Sequence, residues 1–178
     1  ADAAPDGYTI CILPSDVLQY NRHVIRSLNY DLFKDLEPVS LLFFLTQSLV
    51  VSSQLNVGTL EELAAYSKAH PKTLSYTAAA IPHQLFIEGF KEETQADIVR
   101  VPFRGGGEAV NGMLTGTTPV AFFGVGNFIA HLQAGTVRGI VVDAGKRSPL
   151  FPNIPTLREL RPNIDLTQAD FSLWAPKG

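Results

Sequence analysis

Val101-Pro102-Phe103-Arg104-Gly105-Gly106-Gly107 joins the end of an apolar strand to a glycine turn and then to a helix. Ile98, Val99 and Val101 are strand residues, and Ala109, Val110, Met113 and Leu114 recur beyond them at helical spacing. The glycines between let backbone N–H groups converge, and the first turn of the helix adds its partial positive charge. Arg104 would complete an anion site with a two-pronged grip on a carboxylate or phosphate. Strand, glycine turn and helix is also an ordinary connector in α/β proteins, so the stretch sets the fold class before it sets a function.

Outward from it, strand and helix signals alternate along the chain. Tyr8 to Leu13 reads as a strand, followed by a short helix around Val17 to Leu28. Val39 to Ser52 reads as one long extended segment, with Phe43 and Phe44 expected in the core. Thr59-Leu60-Glu61-Glu62 is a capping box that opens a helix ending near His70-Pro71. Leu74 to Thr77 is a strand, and Gln84 to Glu93 a helix. After the glycine junction come a helix ending at Gly116, a strand over Pro119 to Val125 and a short helix closed by Gly135. A strand over Val137 to Asp143 and a last helical turn over Thr156 to Leu160 follow. The pattern predicts an α/β fold, a mainly parallel sheet with helices on both faces.

The chain has 178 residues, enough for one ordinary domain or two small lobes, and its 46% hydrophobic and 17% charged residues are a globular balance. A net charge of -3 without a basic cluster argues against a nucleic-acid surface. The apolar stretch Leu41 to Val51 is interrupted by Thr46, Gln47 and Ser48 and is too short to span a bilayer, so the chain is not expected to be membrane-embedded. Cys11, the one cysteine, leaves no intrachain disulfide or cysteine metal cluster, and its apolar strand predicts a small buried filler.

The order of motifs resembles the Bug (TctC-like) extracytoplasmic solute receptors of tripartite tricarboxylate transporters. The matching residues are Pro5-Asp6-Gly7-Tyr8-Thr9, Tyr30-Asp31, Lys34 to Ser40, Thr59 to Lys68 and Pro71 to Tyr76. Further on they are Val101-Pro102-Phe103-Arg104-Gly105, Ala134-Gly135 with Val137-Arg138, Arg147, and Pro152 to Leu157 with Glu159. The resemblance implies a two-lobed, periplasmic binding protein type II-like fold that closes on a small organic carboxylate held by strand-loop-helix anion loops. It further implies a periplasmic receptor delivering its ligand to membrane permease subunits, with no enzymatic activity, cofactor or metal. On this pattern residues 1–49 are a partial lobe one, residues 50–168 a nearly complete lobe two, and residues 169–178 a return crossing toward lobe one. Lobe one is then incomplete, the chain truncated at both ends, and its binding expected to be weak.

Departures from the family pattern fall on the site itself. Where the family has Tyr-Lys-Gly this chain has Phe103-Arg104-Gly105, which loses a phenol but keeps a cation. The second loop of lobe two, Thr77 to Gln84, lacks the usual glycines and puts Gln84 in the usual His place. The expected ligand-binding residues are Ser15, Ala79, Ala80, His83, Phe103, Arg104, Gly105, Gly106 and Phe123. Each has a plainer role as well: Ser15 as an N-cap, His83 as an exposed helix-start residue, Arg104 as a solvated charge and Phe123 as core. An enzyme reading finds no nucleophile with a base beside it, no phosphate-loop lysine motif, and histidines scattered at positions 23, 70, 83 and 131. It survives as a small α/β enzyme or phosphoryl-ligand domain using the loop from Arg104 to Gly107. A ligand-sensing domain of a transcription regulator shares the two-lobed architecture.

Overall fold

A computed structural model of the chain describes residues 3–164, 166 and 169–178. The chain divides into two compact units, Ala1–Leu45 with Gln168–Gly178, and Thr46–Thr167. The division falls at Thr46 rather than at residue 50, because Gln47, Ser48 and Leu49 are already ladder residues of the second unit. The expected boundary at residue 168 lies outside the described residues.

The first unit is a three-stranded antiparallel sheet with β8 (Asp170–Pro176) in the middle, flanked by β1 (Cys11–Pro14) and β2 (Leu36–Phe44). Two short helices accompany it, α1 (Ser15–Val24) and α2 (Leu32–Asp35), the latter capped by Asp31, which accepts from the amides of Phe33 and Lys34. The single extended segment expected over Val39 to Ser52 is therefore two strands in two units. The backbone turns over between them: Leu45 donates to the Ala169 carbonyl in one unit, and Thr46 accepts from the Val125 amide in the other. Phe43 and Phe44 are not core residues, being 48% and 56% exposed on β2, where Phe43 stacks on Phe171 at 5.1 Å. Cys11 is half-buried, its thiol donating to the Trp174 carbonyl at 3.6 Å, where full burial was expected.

The second unit is a five-stranded sheet in the order β5-β4-β6-β3-β7. Its strands are β3 (Gln47–Ser52), β4 (Leu74–Ala78), β5 (Ile98–Arg100), β6 (Val120–Gly124) and β7 (Val137–Asp143). Beside them lie α3 (Leu60–Ala69), α4 (Ile81–Thr94), α5 (Gly106–Leu114), α6 (Ile129–Ala134) and α7 (Leu157–Leu160). The sheet, expected to be mainly parallel, is mixed, with one strand reversed. β4 pairs in parallel with β5 and β6, whereas β3 pairs antiparallel with both β6 and β7. β4, β5, β6 and β7 point one way, and β5, β6 and β7 are each reached from the strand before through a helical crossover. β3 precedes the first crossover and fills the slot between β6 and β7 from the opposite end.

Strand alternation divides the apolar side chains between two faces. Leu49 and Val51 of β3, with Val120 and Phe122 of β6, pack against Leu60 and Leu63 of α3, Phe86, Ile87 and Phe90 of α4, and Leu157 of α7. Val50, Ala121 and Phe123 face the other way, against Ala109 and Met113 of α5 and Phe128. Helices thus cover both faces, as the sequence pattern predicts. The Thr59 half of the capping box is formed, Glu62 donating its amide to the Thr59 hydroxyl at 3.1 Å, while the Glu62 carboxylate accepts at 2.6 Å from the amide of Gly58, one residue before the cap. The proline-punctuated segment after β7 is pinned by Arg147, which donates to both carboxylate oxygens of Glu159 and to the Pro152 carbonyl. That hydrogen bonding holds the Glu159 carboxyl below its ordinary range.

Phe122 is wholly buried between the rings of His83 and Phe86. Phe122→Ala should cost about 3–5 kcal/mol of unfolding free energy, and the exposed Phe43→Ala less than about 1 kcal/mol. Denaturant titration of both variants checks this, and similar losses would contradict the layering.

Candidate functional site

In α/β sheets the carboxyl ends of the strands are where loops carry chemistry. At that edge of the second unit lie the ends of β4, β6 and β7, the loop after β5, and the start of the reversed strand β3. Most of the expected site residues gather there. Ala79 continues β4, its amide donating to the Phe122 carbonyl at 3.0 Å, and is exposed, whereas Ala80 is buried as the N-cap of α4. No side chain caps α4, so its start presents its positive end, with one amide donor fewer because Pro82 in the first turn has no N–H.

His83 is not the exposed helix-start residue of the plainer reading. It is fully buried, its ring edge-on to Phe122 at 4.3 Å, and its Nε2 lies 2.9 Å from Oδ2 of Asp143 at the end of β7. The 14-residue helix α4 lies on the sheet through Phe86, Ile87 and Phe90, which carries its first turn over the end of β7. With Nε2 donating to Asp143, Nδ1 is an acceptor on a neutral ring and a second donor on an imidazolium. Nδ1 is buried and has no hydrogen-bond partner among the described residues. A His-Asp pair also serves as base and orienter in acyl transfer, which requires a hydroxyl or thiol on the free ring nitrogen.

The glycine junction is built differently from its reading. Gly105 is the N-cap of α5 with an extended backbone, and the Arg104 amide donates to the Glu108 carboxylate at 2.9 Å. This helix start therefore carries a carboxylate of its own, which competes with any incoming anion. The Arg104 side chain is exposed. A Cβ at Gly106 would lie 2.2 Å from Oδ1 of Asn127, whose Nδ2 donates to the Gly124 carbonyl. Glycine here lets α5 approach the turn after β6. Phe103 packs on Gly112, where a Cβ would come within 2.7 Å of its ring, and joins the cluster that contains Phe123, itself 5% exposed. Both phenylalanines pack on the α5 face.

Ser15 belongs to the first unit. It is the first residue of α1 rather than its N-cap, and its hydroxyl donates to Oδ2 of Asp170 at 2.5 Å. The same unit holds a cavity of about 400 Å³ lined by Cys11, Leu13, Val17, Asn21, Asn29, Tyr30 and Leu36. Sequence reasoning missed Gln47 and Asn127 at the edge. Gln47 had a signal, since it breaks an otherwise apolar run, and the structure buries it to 3% exposure. Among the described residues no group of three or more His, Cys, Asp or Glu is placed to hold a metal ion, and no helix is long and apolar enough to cross a membrane.

An uncapped helix start at the carboxyl edge of an α/β sheet is a place where an anion can be received. The whole chain, residues 1–178, matches the model of the tripartite tricarboxylate transporter family receptor, TctC. The chain belongs to this family. The protein BugT of Bordetella pertussis is 30% identical over 181 residues, covering 100% of this chain and 56% of BugT. A UPF0065 protein of Cupriavidus necator is 30% identical over 98% of this chain and 53% of its own length. The chain thus spans about half the length of the curated relatives it matches. Among solved structures, an R. palustris protein with adipate superposes at a TM-score of 0.87 and 28% identity, over 99% of this chain and 60% of the other. MatC from Rhodopseudomonas palustris, with bound malate, does so at 0.82 and 28% over the same shares.

A double-mutant cycle on His83→Ala and Asp143→Ala should return a coupling energy of about 1–3 kcal/mol in unfolding free energy. Additive losses would mean that the two side chains do not act on each other.

Proposed function

We propose that the protein is a solute receptor that captures a small carboxylate-bearing compound in the periplasm and delivers it to the membrane permease of a tripartite tricarboxylate transporter. The observation that carries this reading is the match of the entire chain to the receptor family. The adipate and malate held by two structural neighbours support a carboxylate as the ligand. The unit Thr46–Thr167 is assigned to lobe two, and the remainder to part of lobe one.

Within the second unit, the start of α4 is the better anion site of the two candidates. Ala79, Ala80 and His83 surround a helix start that no side chain caps, whereas α5 already faces Glu108. Arg104, Gly105, Gly106 and the packed ring of Phe103 form the neighbouring loop, where Arg104 adds charge attraction at the rim. Phe123 backs that loop from the core. The protein acts by binding and release and catalyses no reaction. A hydroxyl or thiol partner for His83, which acyl-transfer chemistry needs, is absent among the described residues.

Thermal unfolding against mono-, di- and aromatic carboxylates, with phosphate esters alongside, tests this. A ligand present at a hundred times its Kd stabilises the folded state by about 2.7 kcal/mol, a readily measured rise in midpoint. A rise with carboxylates alone is expected, whereas a rise with phosphate esters alone would overturn the reading in favour of a phosphoryl-ligand domain. Arg104→Ala should weaken carboxylate binding about two- to tenfold, as loss of one exposed charge contact does. Unchanged affinity would remove Arg104 from the site.

A further inference from the structure

Asn21, Asn29 and Tyr30 meet at the cavity of about 400 Å³ in the first unit, which holds none of the residues around the start of α4. Local chain geometry makes this cavity. α1 begins at Ser15, the residue directly after β1, so the helix folds back over the strand that leads into it and packs on β1 and β8. Val17 and Asn21, four residues apart, share one face of α1. Cys11 and Leu13 alternate onto one face of β1. Both pairs line the cavity. The chain then returns through Asn29 and Tyr30 to Leu36, the buried first residue of β2, and these three residues complete the lining.

The size and chemistry of the lining select a class of ligand. Small-molecule sites are clefts of about 300–1,000 Å³, mostly apolar, with a few polar groups that fix orientation. Among the described residues no lining side chain is charged, whereas the adjoining hollow of about 280 Å³, which shares Tyr30, holds Arg22 and Asp31. A charged ligand entering the larger cavity would lose hydration and meet no opposite charge, so an uncharged compound is favoured. The side chains of Asn21, Asn29 and Tyr30 take no hydrogen-bond partner among the described residues. Each asparagine amide offers a carbonyl acceptor and an NH2 donor, the two groups that a ligand carboxamide pairs with. Tyr30 adds an aromatic face. The Cys11 thiol already donates to the Trp174 carbonyl, and its polarisable sulfur remains a partner for the edge of a ring.

We propose that this cavity is a binding site for an uncharged, planar carboxamide, separate from the carboxylate site at the start of α4. The ligand's ring lies among Leu13, Val17, Leu36 and the Tyr30 ring, and its amide pairs with Asn21 and Asn29. The two sites share no residue, so this one does not depend on the carboxylate-receptor reading. They also sort ligands by charge: an acid is drawn to the helix start, and the matching amide to the uncharged cavity.

Benzamide and benzoate, which carry the same ring and differ in charge, test it by titration of the isotopically labelled protein. Benzamide is expected to move the side-chain NH2 resonances of Asn21 and Asn29 and the backbone amides of Cys11 and Tyr30, saturably and together. Benzoate should act on the same resonances about tenfold or more weakly. Asn21→Ala, shown by thermal unfolding to be folded, should weaken benzamide binding about two- to tenfold, as loss of a neutral hydrogen bond does. Asn29 is exposed, so Asn29→Ala gives the same test where the helix substitution disturbs folding. No saturable shift at these residues with benzamide, or benzoate bound there as tightly, would overturn the site. Unchanged benzamide affinity in both variants would overturn the assignment of the two amides.

Discussion

The placement of β3 is the constraint on which the second unit depends. All six residues of Gln47–Ser52 are buried, with apolar side chains on both faces, so the strand is stable only when sheet and helices enclose it completely. Its slot between β6 and β7 fixes the direction of every neighbour. Four strands then deliver their carboxyl ends to one edge, and β3 delivers its amino end there too. A strand of the usual direction would have put Gln47 at the far edge, away from Asp143 and the start of α4.

The packing that satisfies β3 also builds the candidate site. Phe122, which pairs with Leu49 on β3, supports the rings of His83 and Phe86. His83 is thereby carried over the sheet to Asp143, and α4 is held with its uncapped start at the edge. The core and the proposed ligand edge are two ends of the same helix. Placing a histidine, a carboxylate and a glutamine inside an apolar face costs stability, which the surrounding aromatic and aliphatic packing offsets.

Much of this was legible in the sequence and some was not, for identifiable reasons. The Thr59 capping box, the helix stop at Gly135 and the strand from Val137 to Asp143 rest on local backbone chemistry, which a sequence displays directly. The order of motifs led to the receptor family. The reversal of β3 was not legible, because pairing direction is decided by which slot remains open after the crossovers are made. Phe43 and Phe44 read as core because hydrophobicity reports preference for burial, and β2 has exposed flanks on which they lie. His83 read as exposed from its place in a first turn. Its burial depends on Asp143, sixty residues away in sequence. Gln47 was visible as a break in an apolar run, yet its burial depends on its place in the ladder, opposite Asp143.

The receptor account makes the start of α4 the place where a carboxylate is held. Titration of the isotopically labelled protein with a bound carboxylate, followed by backbone amide resonances, tests this most directly. Shifts concentrated on Gln47, on residues 79–84 and on Asp143, saturating with one ligand per chain, are the predicted result. Saturable shifts confined to Cys11, Asn21 and Tyr30 around the cavity of the first unit, with the α4 start unmoved, would contradict it.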